Sequence, residues 1–222
     1  MRAAIVVFPG SNRERDMALA CQRAFGTEPV YVWHRDTHLP DVDLVTLPGG
    51  FSYGDYLRPG AIAARAPIMD SIRIHAEKGR PVLGVCNGFQ ILIESGLLQG
   101  ALLRNAGLKF VCRETTLICG TSASPFTSEM QAGKSRIRVP VAHHDGGYFV
   151  TSDQQKMLED QDLIAFRYER GDNPNGSTAD IAGVLNAGRN VLGLMPHPEN
   201  ATDPLAGGDD GLVIFKSLLA MA

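Results

Sequence analysis

The stretch Val82-Leu83-Gly84-Val85-Cys86-Asn87-Gly88-Phe89-Gln90 carries the clearest signal for the fold of this chain. Its first four residues predict a strand buried on both faces, and the residues from Gly88 onward predict a helix. Between them, Gly84, Cys86 and Gly88 form the G-x-nucleophile-x-G pattern of a nucleophile elbow, with cysteine in place of serine. The glycines permit the sharp turn because they carry no Cβ atom. Cys86 is therefore the candidate nucleophile, and a buried cysteine in a tight turn is the alternative.

The sequence before this elbow predicts an α/β fold. Apolar runs at Ala3–Phe8, Val30–Trp33 and Leu44–Leu47 predict strands, and helices are predicted around Met17–Phe25 and over Pro67–Lys78. Strands that alternate with helices in this way are typical of a flavodoxin-like, open and mostly parallel sheet with helices on both faces. Functional groups in such sheets collect at the carboxyl ends of the strands.

The second half of the chain predicts extra strands on the same sheet. The candidates are Phe110–Ile118, Arg136–Val141, Ile164–Tyr168, Ile181–Leu185 and Val191–Met195, followed by a helix over Leu212–Met221. A hairpin through Asn186-Ala187-Gly188 is expected to join the last two strands. Because no linker, repeat or low-complexity tract interrupts the pattern, residues 1–222 are expected to form a single domain.

Composition excludes several classes of function. The chain of 222 residues has 21 basic and 24 acidic side chains and a formal charge of −3. No basic stripe is present, so a nucleic-acid partner is not expected. The longest uncharged stretches fall short of the ~20 apolar residues that a membrane helix needs. With no export signal, the chain is expected in the cytoplasm, with Cys21, Cys86, Cys112 and Cys119 as reduced thiols.

A cysteine nucleophile needs a base, which is usually histidine. Of the six histidines, His75 is expected at the surface of a helix, and His34 and His38 lie in a loop. His197 instead follows a predicted strand within Pro196-His197-Pro198-Glu199, where the prolines restrict the backbone. Glu199, two residues further on, is placed to orient the imidazole. The pattern favours a triad of Cys86, His197 and Glu199 over a rigid turn without function.

Together these motifs resemble the class I, or triad, glutamine amidotransferases. The resemblance extends over nearly the whole chain and includes Pro48–Ala64 (PGGFSYGDYLRPGAIAA), Leu103–Asn105 and Asn175–Ser177. It is closest to the glutaminase subunit of a ligase of purine biosynthesis. It implies that Cys86 attacks the side-chain amide of glutamine, forms a γ-glutamyl thioester and releases ammonia.

The resemblance implies further site residues. Backbone N–H groups of Asn87 and of the Gly49-Gly50 loop would form the oxyanion hole, and Gln90 would help to hold the glutamine substrate. One segment departs from the family pattern: His143-His144-Asp145 stands where H-G-E is usual, so no role is assigned to these three residues. A metal site there is disfavoured because adjacent residues on a strand point to opposite faces, and no metal is expected.

Partners and cofactors follow from what the sequence lacks. Neither G-x-x-x-x-G-K-[ST] nor G-x-G-x-x-G occurs, so no phosphate-binding loop is recognisable and no cofactor is expected in this chain. The resemblance implies that ATP, with Mg²⁺, and the ribonucleotide substrate bind a large synthetase subunit, joined by a small bridging subunit. Two alternatives stay open: a cysteine hydrolase on the related elbow fold, and a non-catalytic interaction protein.

Overall fold

The computed structural model describes residues 1–221, in which a nine-stranded sheet is the largest element. Its strands are β1 (Ala3–Val7), β2 (Val30–Trp33), β3 (Leu44–Leu47), β4 (Val82–Val85), β6 (Val111–Cys119), β7 (Arg136–His143), β9 (Ile164–Tyr168), β10 (Ile181–Leu185) and β11 (Val191–Leu194). A separate ribbon pairs β5 (Ala101–Leu103) with β8 (Gly147–Phe149). The helices are α1 (Glu14–Phe25), α2 (Ile68–Glu77), α3 (Asn87–Glu94), α4 (Ser152–Asp160) and α5 (Leu212–Ser217).

The strand order is β2-β1-β3-β4-β11-β10-β9-β6-β7. The first five strands are parallel, and each later neighbour pairs antiparallel. The predicted hairpin joins β10 to β11, which places β11 parallel to β4 with Gly193 opposite Gly84. The carboxyl ends of β1, β3, β4 and β11 therefore meet at one edge, where the loops that follow them can form a site.

Burial on both faces explains the apolar composition of the central strands. All residues of β3, β4 and β11 are buried, as expected for parallel strands covered by helices. The helix α3 packs against β3, β4 and β11, and α1 packs against α5. No helix within residues 1–221 has the length and apolar character needed to cross a membrane.

The structure differs from the sequence prediction in three places. The helix α4 was not predicted because Leu158 is its only buried residue; it begins with a capping box between Thr151 and Gln154. The final helix ends at Ser217 and continues as a 3₁₀ turn. His75 is buried rather than at the surface, because its Nε2–H donates a hydrogen bond to the carbonyl of Pro81, and burial lowers its pKa.

Candidate active site

Cys86 occupies the predicted elbow between β4 and α3. Its backbone angles are φ 51° and ψ −106°, in the left-handed region that L-residues rarely adopt, at a typical cost of ~1–3 kcal/mol. A Cβ atom on Gly84 would lie 2.7 Å from the carbonyl oxygen of Gly88, and one on Gly88 would lie 1.9 Å from that of Leu47. Both motif glycines are therefore required by close backbone packing.

His197 and Glu199 form a buried hydrogen-bonded pair at the end of β11. The imidazole Nδ1–H donates to Oε1 of Glu199 at 2.7 Å, and the two side chains are 4% and 0% exposed. Glu199 reaches the ring because Pro198–Asn200 forms a 3₁₀ turn, not through the extended chain that the sequence suggested. The N–H of His197 also donates to the carbonyl of Pro140, which fixes this loop against β7.

The charges around His197 favour its protonated form. Burial opposes the imidazolium, but the negative charges of Glu199 and of a Cys86 thiolate, with their hydrogen bonds, outweigh it and raise the pKa of His197. Within residues 1–221, Nε2 of His197 is buried and has no hydrogen bond of standard geometry. Nδ1 is committed to Glu199, so Nε2 is the ring nitrogen left to exchange a proton with Cys86 and a substrate.

Two backbone N–H groups lie beside Cys86 without an acceptor in the described part of the chain, those of Gly50 and Asn87. The Gly50 loop is bound to the loop after β1 by hydrogen bonds from Phe51 N–H to the Gly10 carbonyl and from Asn12 N–H to the Gly49 carbonyl. Gly50 has φ +155°, and a Cβ atom there would lie 2.5 Å from the Gly10 oxygen. This arrangement provides two donors for an oxyanion at the positions that the sequence predicted.

A chain of side-chain amides connects the three loops around Cys86. The N–H of Ser52 donates to Oδ1 of Asn87 at 3.0 Å, and Nδ2 of Asn87 donates to Oε1 of Gln90 at 2.9 Å. In turn, Nε2 of Gln90 donates to the carbonyl oxygen of Asp145 at 2.8 Å. We call Ser52, Asn87, Gln90 and Asp145 the amide relay. It fixes the position of the Gly50 loop relative to the elbow.

A second buried network, which the sequence did not predict, surrounds His143. Its Nδ1–H donates to Oδ1 of Asn105 at 3.2 Å, and its Nε2 accepts from Nδ2 of Asn175 at 3.3 Å. Burial and the nearby charge of His197 lower the pKa of His143 to about 4, so the ring is neutral. Asn105 and Asn175 lie in segments quoted for the family resemblance, Leu103–Asn105 and Asn175–Ser177, which was the only signal available.

The unusual segment after β7 separates its side chains. His143 is buried, whereas His144 is half-exposed, with Nδ1 3.3 Å from Asp145. Burial and the charge of Asp145 raise the pKa of Asp55 to about 6. Over residues 1–221 no cluster of three or more His, Cys, Asp or Glu side chains has the arrangement of a metal site.

Comparison with known proteins agrees with this geometry. Residues 1–207 match the family model described as the CobB/CobQ-like glutamine amidotransferase domain. The subunit PurQ of phosphoribosylformylglycinamidine synthase from Brucella suis biovar 1 is 55% identical over 222 residues, 100% of this chain and 99% of that protein. The same subunit from a Ruegeria species is 57% identical over 219 residues, 98% of this chain and 97% of that protein.

Solved structures show the same fold. A chain in the structure of PurLQS from Thermotoga maritima superposes with a TM-score of 0.89 and 48% identity, covering 99% of this chain and 98% of that chain. Another glutamine amidotransferase from Thermotoga maritima has 17% identity and a TM-score of 0.64, covering 100% of this chain and 97% of that chain, and shows the fold alone. The predicted flavodoxin-like architecture with added strands is thus confirmed.

The fold, the elbow and the family match define a glutamine amidotransferase. Full-length identity of 55% narrows this class further. The chain belongs to the family of PurQ subunits of phosphoribosylformylglycinamidine synthase.

Proposed function

We propose that this chain is the glutaminase subunit of phosphoribosylformylglycinamidine synthase and uses Cys86, His197 and Glu199 to release ammonia from glutamine. The observation that carries the proposal is the buried His197–Glu199 pair at the same sheet edge as the strained Cys86. An unpaired imidazole Nε2 beside a thiol is the arrangement that nucleophilic catalysis requires. The family and the activity follow from the full-length relatives.

The reaction has two stages. The Cys86 thiolate attacks the side-chain amide carbon of glutamine, and Gly50 and Asn87 N–H groups stabilise the oxyanion that forms. Nε2–H of His197 then protonates the departing ammonia, which leaves a γ-glutamyl thioester on Cys86. In the second stage the neutral His197 takes a proton from water, which attacks the thioester and releases glutamate. Glu199 holds the imidazole tautomer in both stages.

The ammonia is used elsewhere in the complex. We propose that a large synthetase subunit binds ATP, Mg²⁺ and formylglycinamide ribonucleotide, and that a small bridging subunit joins it to this chain. The PurLQS structure, whose chain superposes closely on this one, supports such an assembly. Ammonia is protonated in water, so its use requires a sheltered path between the subunits. Four free thiols support the cytoplasm as the location, since its redox state keeps cysteines reduced.

Site-directed labelling tests the nucleophile. A chloroketone analogue of glutamine is expected to label Cys86 alone, because that thiol lies beside His197. Cys86→Ala should abolish glutamate release, while added ammonia still supports the synthetase reaction of the whole complex. The matched control is Cys112→Ala, which removes an exposed thiol and should leave both rates unchanged. Labelling at Cys21, Cys112 or Cys119 instead would contradict the proposal.

The two alternatives from the sequence give different results in the same assays. A cysteine hydrolase of the elbow fold would cleave peptides and would not need glutamine. A non-catalytic interaction protein would release no glutamate, either alone or with the synthetase subunit. Glutamate release that depends on Cys86 therefore excludes both alternatives.

A further inference from the structure

A groove of about 690 Å³ lies beside the Gly50 loop. Its walls come from the loop after β1, the end of β2, the active-site loop at Tyr53 and the segment before α2. We call the residues Trp33, His34, Arg35, Tyr53 and Arg65 the cationic groove. None of these residues has a role in the mechanism described above.

The charges of the groove are unbalanced. Arg35 and Arg65 are both exposed, and neither forms an ion pair with another residue of the described chain. None of the described residues that line the groove is acidic. Two unpaired guanidinium groups side by side favour an acidic ligand, because carboxylates match the fork of N–H donors in geometry and charge.

The remaining residues of the groove point to a protein rather than a small molecule. Trp33 is 46% exposed, and its ring stands edge-on to His34 with the centroids 4.6 Å apart. Trp, Tyr and Arg are the residue types that dominate binding energy at protein interfaces. On the loop that carries Tyr53, the apolar side chains of Phe51, Tyr56 and Leu57 are also exposed. Large apolar side chains close together on a surface are typical of an interaction site.

A short path of hydrogen bonds joins the groove to the oxyanion donors. The Tyr53 hydroxyl donates to Nδ1 of the buried His34 at 2.7 Å, and Tyr53 itself has φ +54°. Its neighbour Ser52 donates its N–H to Oδ1 of Asn87, in the amide relay. A contact that orders Tyr53 thus acts on the loop containing Gly50.

We propose that the cationic groove binds an acidic segment of the synthetase subunit, anchored by an apolar side chain against Trp33, and that this contact orders the Gly50 loop for catalysis. The proposal rests on the proposed function, since it takes the occupant from the same complex. It assigns the stimulation of glutamine hydrolysis to a defined surface of this chain.

A charge-reversal experiment tests the docking. The variant Arg35→Glu/Arg65→Glu and the matched control Lys134→Glu/Lys156→Glu change the same charge, and the control lysines are exposed on the antiparallel side of the molecule. Binding to the purified synthetase and bridging subunits is measured by calorimetry at low and high salt. We expect the groove variant to bind at least ~10-fold more weakly and to lose much of the salt dependence, with the control unchanged.

The outcomes separate the proposal from the proposed function. Wild-type protein that binds no synthetase would contradict the proposed function. Equal affinity of wild type and groove variant, in a wild type that does bind, would overturn the groove proposal alone. The glutaminase rate of the isolated chain should be the same in wild type and groove variant. If ATP binds the isolated wild type and not the groove variant, the groove is a nucleotide site and the proposal is wrong.

A second variant tests the coupling to the active site. Tyr53→Phe keeps the aromatic ring and removes the hydrogen bond to His34. We expect affinity for the synthetase to stay within about twofold of wild type, while the stimulation of kcat by the synthetase falls several-fold. Full stimulation in this variant would show that docking acts on the site by another route.

Discussion

At the scale of single residues, the site depends on groups that are buried and oriented by their neighbours. His197 gains its positive charge from Glu199 and Cys86, although burial alone would make it neutral. His143, also buried, has amide partners instead of a carboxylate and stays neutral. Two histidines in one core thus have opposite protonation states because their partners differ in charge.

Glu199→Gln is expected to lower the pKa of His197, because it removes the negative charge while keeping a hydrogen-bonding side chain. The imidazolium that protonates ammonia would then be lost at a lower pH, so the alkaline limb of the kcat profile should move to lower pH. We also expect kcat to fall by ~10²–10⁴. Steady-state kinetics from pH 6 to 10 measure both effects. Glu159→Gln, at an exposed ion pair with Arg167, is the control; an unchanged profile in Glu199→Gln would contradict this role.

Gln90→Ala distinguishes substrate binding from positioning. Both ends of the Gln90 amide are already hydrogen-bonded within the amide relay, to Asn87 and to Asp145. We therefore expect kcat to fall about tenfold, equivalent to ~1.4 kcal/mol, with little change in KM for glutamine. A large rise in KM at constant kcat would instead show that Gln90 binds the substrate, as the family resemblance implies. Gln155→Ala, on the surface of α4, is the control.

At the scale of elements, the parallel half of the sheet was predictable in detail. The bounds of β2, β3 and β4 coincide with the predicted strands, since short apolar runs ended by glycine or proline have few alternative structures. The ribbon of β5 and β8 was missed because strands of three residues have too little pattern. The helix α4 was missed because its exposed surface is polar on nearly every side.

Gly88→Ala tests the contact between α3 and β3. The new Cβ atom would overlap the carbonyl oxygen of Leu47, a backbone atom that cannot rotate away. We expect the free energy of unfolding to fall by about 3 kcal/mol or more, measured by urea denaturation. Gly107→Ala is the matched control, since nothing lies within 4 Å of its Cβ position. Equal stability of Gly88→Ala and wild type would show that the helix can shift away from the strand.

At the scale of the whole molecule, the site is assembled from both halves of the chain. Cys86 comes from the parallel half, His197 from the strand that joins the two halves, and Pro140 and Ala142 from an antiparallel strand. The carbonyl of Pro140 accepts the His197 N–H, and that of Ala142 lies 3.9 Å from the Cys86 thiol. Activity and global stability are therefore expected to depend on the same buried groups.

The pH dependence of stability tests the buried network of His143. Its pKa is about 4 in the folded chain and 6.5 when unperturbed, so the unfolded chain binds more protons between these values. The stability that depends on neutral His143 is present above pH 6.5 and is lost as pH falls toward 4, by about 3 kcal/mol in full. Urea denaturation of wild type and His143→Gln from pH 7 to 4.5 should show a difference that shrinks with acidification. A constant difference would contradict the burial of a neutral ring.

Local sequence patterns were sufficient to predict the class of fold, the nucleophile and its base. Apolar runs, the elbow glycines and the H-P-E segment have a physical meaning that does not depend on distant contacts. They predicted Cys86, His197 and Glu199 as one group, and the structure brings the His197–Glu199 pair and Cys86 to a common edge.

Which polar side chains become buried together depended on the tertiary structure alone. The amide relay joins Ser52 and Gln90 to Asp145, and the network around His143 joins Asn105 to Asn175. Asparagine and glutamine are also common in surface loops, so their types predict no pairing. Their partners lie far apart in the chain and meet because parallel and antiparallel strands place those loops at one edge of a single sheet.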